Sequence, residues 1–111
     1  MECSGALFWE GLMITFVRTA TAVPGKIGET LVWGKEIAAI VKRVTGKDMA
    51  VANPFGGAVT EVAWIAQWDT VGQADEAMVK LMADREYTTS LTKAGQLLVA
   101  GSARDHIWKH I

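Results

Sequence analysis

Alternating apolar and polar positions mark the first clear element of the chain. Residues 13–22 place Phe16, Arg18 and Ala20 on one side and mainly threonines on the other, which is typical of a β-strand. Pro24 and the glycine after it end this strand, because proline lacks a ladder donor and glycine permits a turn. Over residues 26–45 apolar side chains recur every three or four positions, and this spacing predicts a helix that stops at a glycine.

Two further apolar runs predict a β-hairpin in the middle of the chain. Residues 47–53 form a short run and residues 58–69 a longer one, and the Pro54–Gly57 segment between them has the composition of a turn. Within the longer run Trp64 and Trp68 fall on the same face, because side chains alternate along a strand.

Helical patterns follow the hairpin. A helix over residues 70–82 is predicted to begin at a capping box formed by Thr70 and Gln73. A second helical segment is predicted over residues 85–100, with Asp84 as its N-cap and a glycine as its stop.

The order of these elements predicts the fold class. Residues 102–111 alternate again as a last strand, which completes the order β-α-β-β-α-β. This order indicates an α+β, ferredoxin-like domain with a four-stranded antiparallel sheet and the helices on one face. The other sheet face would also be apolar, so we expect a homodimer in which two sheets pack face to face as a dimeric barrel.

Length, charge and cysteine content further restrict the possible domain organisation, partners and location of the protein. A chain of 111 residues suits one domain, which we place at residues 13–111, with residues 1–12 as a poorly ordered N-terminal extension. A net charge of -1 argues against a nucleic-acid or anionic-membrane partner, and no apolar run is long enough to span a bilayer. Cys3 is the single cysteine, which excludes an intrachain disulfide and favours a cytoplasmic location.

Four segments carry a resemblance to known proteins. They are Pro24-Gly25-Lys26, the turn that leads into Val62-Ala63-Trp64, the Leu81–Tyr87 junction and the closing Gly101–Trp108 stretch. Through them the sequence resembles the dimeric α+β barrel superfamily, near the NIPSNAP, EthD and antibiotic-biosynthesis monooxygenase families. Members of that superfamily include cofactor-independent and haem-degrading oxygenases, isomerases and dehalogenating enzymes, so the resemblance implies a fold and selects no single reaction.

Aromatic and charged residues of the strands are the candidates for a ligand site. Trp64, Trp68 and Trp108 could wall an aromatic pocket, or they could pack in the core or the dimer interface. Arg18 is the candidate anchor for an anionic ligand, with an ion pair to a carboxylate such as Glu61 as the alternative.

His106 is the candidate catalytic residue. Its imidazole titrates near neutral pH and could act as an acid or base inside the barrel, or it could be a hydrogen-bonded strand histidine. His110 follows four residues later, which on a strand is roughly 13 Å away, too far for a shared metal ion. Tyr87 could line the mouth of a pocket. The sequence indicates no metal site and no cofactor.

Two functions stay open at this point. In the first, a cavity between sheet and helices binds a small apolar or aromatic molecule, with cofactor-independent oxygenase or isomerase-type activity. In the second, the protein is a non-enzymatic structural or accessory homodimer with no ligand. The sequence leaves open whether the protein is an enzyme.

Overall fold

A four-stranded antiparallel sheet forms the centre of the computed structural model, which describes residues 13–111. The predicted extension, residues 1–12, lies outside the described residues. The strands lie in the order β2-β3-β1-β4, so the ferredoxin-like fold is confirmed. In chain order the elements are β1 (Ile14–Thr21), α1 (Ile27–Thr45), β2 (Ala50–Ala52), β3 (Glu61–Trp68), α2 (Val71–Met82), α3 (Arg85–Leu91), α4 (Ala94–Leu97) and β4 (Arg104–Lys109).

The predicted helix over residues 85–100 is wrong in its extent. It divides into α3 and the single-turn α4, and it ends at Leu97. The backbone then turns extended, Leu98 bridges Ala22, and the Val23 amide donates to the Leu97 carbonyl at 2.8 Å. Pairing with the end of β1 therefore takes the place of further helical hydrogen bonds, and Gly101, at φ +76°, serves a turn before β4.

The strands of the hairpin are shorter than their apolar runs. β2 covers three residues and β3 eight, and the segment between them folds back on itself. The Asn53 side-chain amide donates to the carbonyls of Val59 at 3.0 Å and Glu61 at 2.9 Å. These two bonds tie the loop to the start of β3, and the ladder between β2 and β3 covers only Ala50–Ala52. β4 is likewise shorter than the predicted run over residues 102–111.

The predicted N-caps Thr70 and Asp84 are confirmed, but only half of the predicted capping box forms, because the Gln73 side chain binds the amide of Asp69 and not that of Thr70. The Thr70 hydroxyl accepts from the Gln73 amide at 3.1 Å, and the Gln73 side-chain oxygen accepts from the Asp69 amide at 3.2 Å. At the start of α3 the Asp84 carboxylate accepts from the Tyr87 amide at 3.0 Å. The bonds to the Gln73 and Tyr87 amides satisfy donors that have no partner inside their helices.

The strand register decides which side chains the helices cover. Arg18 stands opposite Trp64 and Phe16 opposite Ala66, and residues directly opposite in a ladder share a face. This face lies beneath the helices, and Trp64 and Trp68 are buried in it. The open face carries Val17, which stands opposite Ile65.

This register determines which aromatic side chains remain available to a second subunit. Trp64 and Trp68, for which a dimer interface was one of the predicted environments, face the protein's own helices together with Phe16. Among the described tryptophans, only Trp108 lies on the open face, opposite Thr15, and it is 64% exposed. The whole of β4 is exposed, so this edge strand adds exposed surface beside the open face.

Candidate functional site

A cavity of about 190 Å³ lies between the sheet and the helices. The strands contribute Phe16, Arg18, Ala20 and Trp64 to its wall, and the helices contribute chiefly apolar side chains, including Trp33, Ile37, Met78, Leu81, Tyr87 and Leu91. An apolar cavity of about 150 Å³ is enough to bind benzene, so this one has room for a molecule with an aromatic ring.

Two tryptophans form the inner wall of the cavity. Trp33 of α1 and Trp64 of β3 meet edge to face, with ring centroids 5.6 Å apart and planes at 85°. The Trp33 indole N–H donates to the Ser90 carbonyl at 3.0 Å, and the Trp64 N–H donates to the Gly34 carbonyl at 3.1 Å. Since an indole has a single donor, both rings present only their carbon surfaces to the cavity.

The charge at the cavity wall belongs to Arg18, which is paired. Arg18 on β1 stands directly opposite Asp105 on β4, and the guanidinium Nε and Nη2 donate to the two carboxylate oxygens at 2.6 and 2.9 Å. This two-point hydrogen bond lowers the pKa of Asp105 and raises that of Arg18. The predicted alternative, an ion pair between Arg18 and a carboxylate, is therefore confirmed with Asp105 as the partner. Glu61, the example named, stands opposite Thr21 on the other face of the sheet.

Tyr87 is the second polar group of the cavity. It is only 4% exposed, and its position follows from the Asp84 cap that begins α3. Burial raises the pKa of its hydroxyl, and the charge of the nearby Arg18 opposes part of that rise. The phenol is therefore uncharged at neutral pH. Asp84 itself pairs with Arg43 at 2.7 Å, which lowers the pKa of the Asp84 carboxyl, and it does not line the cavity.

The other candidate residues are not brought to this cavity. His106 stands opposite Val17, so it lies with Trp108 on the open face, away from Arg18 and Trp64. Trp68 shares the covered face but lines a separate space of about 40 Å³.

His110 also lies at the open face. Its Nε2 is 2.5 Å from the Thr15 hydroxyl oxygen. Within residues 13–111, no group of three or more His, Cys, Asp or Glu side chains is placed to hold a metal ion. No helix in that range has the length and apolar character needed to cross a membrane.

Two residues of the site, Trp33 and Asp105, were not predicted from the sequence. Trp33 shares its helix face with Ile37 and Val41 at four-residue spacing, so the helical period alone could have identified it as facing the sheet. The strand pattern indicates that Asp105 and His106 lie on opposite faces of β4. Tertiary pairing, however, determines which strand lies beside β4 and in what register. No local signal marks it as the partner of Arg18.

The fold and the cavity together define an α+β protein of the ferredoxin-like class, with a small apolar chamber between its two layers. No protein-family model and no curated protein matches the chain. Solved structures do: a NIPSNAP family protein of unknown function from Agrobacterium tumefaciens has a TM-score of 0.77 at 23% identity, over 90% of this chain and 89% of that one. An uncharacterised NIPSNAP-like domain protein from Burkholderia xenovorans has a TM-score of 0.75 at 17% identity, over 89% and 85%.

A third neighbour comes from Bordetella bronchiseptica and is assigned to the antibiotic biosynthesis monooxygenases. Its TM-score is 0.70 at 16% identity, over 90% of this chain and 98% of that one. These likenesses confirm that the chain has the fold of NIPSNAP and antibiotic-biosynthesis monooxygenase-like proteins.

Proposed function

We propose that this protein binds a small apolar or aromatic molecule in the cavity between its sheet and its helices. The observation that carries the proposal is the cavity itself, a space of about 190 Å³ with two tryptophan faces and two polar groups on its wall. Ligand sites in proteins commonly combine an apolar lining with a few placed polar groups.

Thermal unfolding with small probes tests the proposal. Ethylbenzene, indole and acetophenone are suitable, because a ligand of the native state at about 100 times its Kd stabilises that state by about 2.7 kcal/mol. We expect at least one of them to raise Tm, and titration calorimetry to give a stoichiometry of one per chain. Absence of any shift across the set would favour the alternative function, an accessory homodimer with no ligand.

A matched pair of variants locates the binding. Ala94 lines the cavity, so A94L would occupy part of the space and weaken the probes that bind. Ala83 is exposed at the end of α2 and is not part of the cavity wall, so A83L is the control and should bind like the wild type. Equal binding by A94L and the wild type would place the probes elsewhere and would contradict the proposal.

Oxygenase or isomerase-type activity on the bound molecule is the finer form of this proposal. The likeness of fold to a protein assigned to the monooxygenases supports it, together with the chiefly apolar lining of the cavity. Tyr87, rather than His106, is the group in the cavity wall that can carry a proton. Aerobic incubation with each binding probe, followed by mass spectrometry of the products, tests this form, and Y87F should abolish any turnover found.

We also propose that the chain forms a homodimer through the open sheet face. Support comes from the apolar Val17 and Ile65 on that face and from the exposed Trp108. Sedimentation analysis should give a dimer for the wild type and a shift toward monomer for W108A. Phe55 is fully exposed in the hairpin loop, so F55A is a control that removes an aromatic ring elsewhere. A monomeric wild type would contradict the proposal.

A cytoplasmic location completes the proposal. Its support is the sparing use of cysteine, with a single one in the whole sequence. Fractionation of cells that produce the protein is the direct test, and recovery from another compartment would contradict it.

A further inference from the structure

The polar groups of the cavity wall allow a sharper statement about the ligand. Both indole N–H groups that could have reached a ligand already donate to the protein, Trp33 to Ser90 and Trp64 to Gly34. In the described part of the chain, the polar side chains of the wall are then Arg18 and Tyr87. The phenol is uncharged, so the charge that a ligand meets depends on the state of Arg18.

Arg18 does not present a free positive charge. Both oxygens of Asp105 bind it, at 2.6 and 2.9 Å, and this geometry commits the Nε and one terminal nitrogen to the carboxylate. The pair is neutral as a whole. The guanidinium keeps donors that Asp105 does not use, and the Tyr87 hydroxyl lies beside it, so the two groups together can still offer a hydrogen bond to a ligand oxygen.

A carboxylate ligand would be placed badly at such a wall. It would leave water for an apolar cavity, which is costly for an ion without a countercharge. The positive charge of Arg18 is already neutralised by Asp105, and the Asp105 carboxylate would repel the carboxylate of a ligand. A carbonyl or hydroxyl oxygen loses much less hydration and needs only one donor.

We infer that Asp105 sets the charge preference of the cavity, so that it selects uncharged molecules bearing an oxygen acceptor over their carboxylate analogues. The inference rests on the proposed ligand-binding function and narrows its ligand class. Asp105 is a positioning residue in this role, since it acts through Arg18 and does not line the cavity itself. The sequence suggested the opposite preference, an anionic ligand on Arg18.

Acetophenone and benzoate test the inference, because they have nearly the same shape and differ in charge. Calorimetric titration at neutral pH should show the wild type binding acetophenone at least about tenfold more tightly than benzoate. In D105N the Arg18 charge is uncompensated, so benzoate affinity should rise about tenfold while acetophenone affinity changes by less than about threefold. The control is D75N, the same substitution at an exposed position on α2, and it should match the wild type.

The outcomes separate the inference from the proposed function. Tighter binding of benzoate than acetophenone by the wild type would overturn the inference and leave ligand binding intact, as would an unchanged ratio of affinities in folded D105N. Binding of neither probe by the wild type or by D105N would overturn both. The wild-type comparison needs no variant, and D105S provides a second substitution should D105N fold poorly.

Discussion

Replacing Gly34 by alanine tests how closely α1 packs on the sheet behind the cavity. Gly34 is buried in the middle of α1, and its carbonyl accepts from the Trp64 indole. A Cβ atom at this position would lie 3.2 Å from Cγ1 of Val51 and 3.4 Å from two atoms of the Trp64 ring. The first distance is tighter than ordinary van der Waals contact, so a neighbour must move.

Two effects of opposite sign decide the result of G34A. Alanine in a helix interior is favoured over glycine by about 1 kcal/mol. Overpacking a well-packed core costs about 1–3 kcal/mol, and here Trp64 cannot retreat without loosening its bond to the Gly34 carbonyl. We therefore expect the overpacking to win, and the free energy of unfolding to fall by about 1 kcal/mol.

A second glycine of α1 supplies the matched control. A Cβ atom at Gly28 would meet nothing within 4 Å, so G28A should stabilise the protein by about 0.5 kcal/mol. Removing the closest obstacle should rescue the first variant: in G34A/V51A the two effects should be non-additive by about 1 kcal/mol. Urea unfolding followed by circular dichroism at one protein concentration measures G34A, G28A, V51A and G34A/V51A. Stabilisation of G34A equal to that of G28A would refute the close packing of α1 on the sheet.

Three further predictions concern the caps, the tryptophan wall and acid. T70A removes the acceptor of the Gln73 amide and should lower the free energy of unfolding by about 1 kcal/mol in the same assay. W33F removes the indole donor to the Ser90 carbonyl, which keeps its bond from the Lys93 amide, and should lower the free energy of unfolding by about 1 kcal/mol. Asp105 has a lowered pKa in the folded protein, so its pair with Arg18 adds to the free energy of unfolding above the ordinary carboxyl pKa of about 3.9, and this contribution is lost as pH falls below it. The free energy of unfolding of D105N should therefore decrease less steeply with falling pH than that of the wild type.

The local features of this fold could be predicted from the sequence because their causes are local. A strand alternates and a helix repeats every three to four residues whatever surrounds them, so the order of the elements was recoverable. Thr70 and Asp84 cap helices through bonds to amides three residues away, and Gly46 ends α1 at φ +77°. These causes act within one turn of the chain.

The remaining features depend on which segments meet. The helical pattern over residues 85–100 does not indicate that the backbone of Leu97 and Leu98 pairs with the chain just after β1. The pairing of Arg18 with Asp105 spans 87 residues and follows from the register of β1 on β4. The same register sends His106 to the open face. A pattern of period two separates two faces of a strand without saying which one the helices cover.

The cavity has a cost in stability that makes its ligand-binding role testable without knowledge of the ligand. Apolar space that side chains leave unfilled lowers the stability of a domain, because the residues around it lose packing contacts. A sequence shaped by stability alone could fill this space by enlarging a small wall residue such as Ala94.

We therefore expect A94L to raise the free energy of unfolding by about 1 kcal/mol while it weakens probe binding, since each buried methylene contributes about 0.8 kcal/mol. A83L, which adds the same side chain at the exposed end of α2, should change stability by less than about 0.5 kcal/mol. Urea unfolding of both variants without ligand decides the matter. Destabilisation by A94L alone would mean that the wall packs tightly around Ala94 and that the space available to a ligand is smaller than the cavity volume implies.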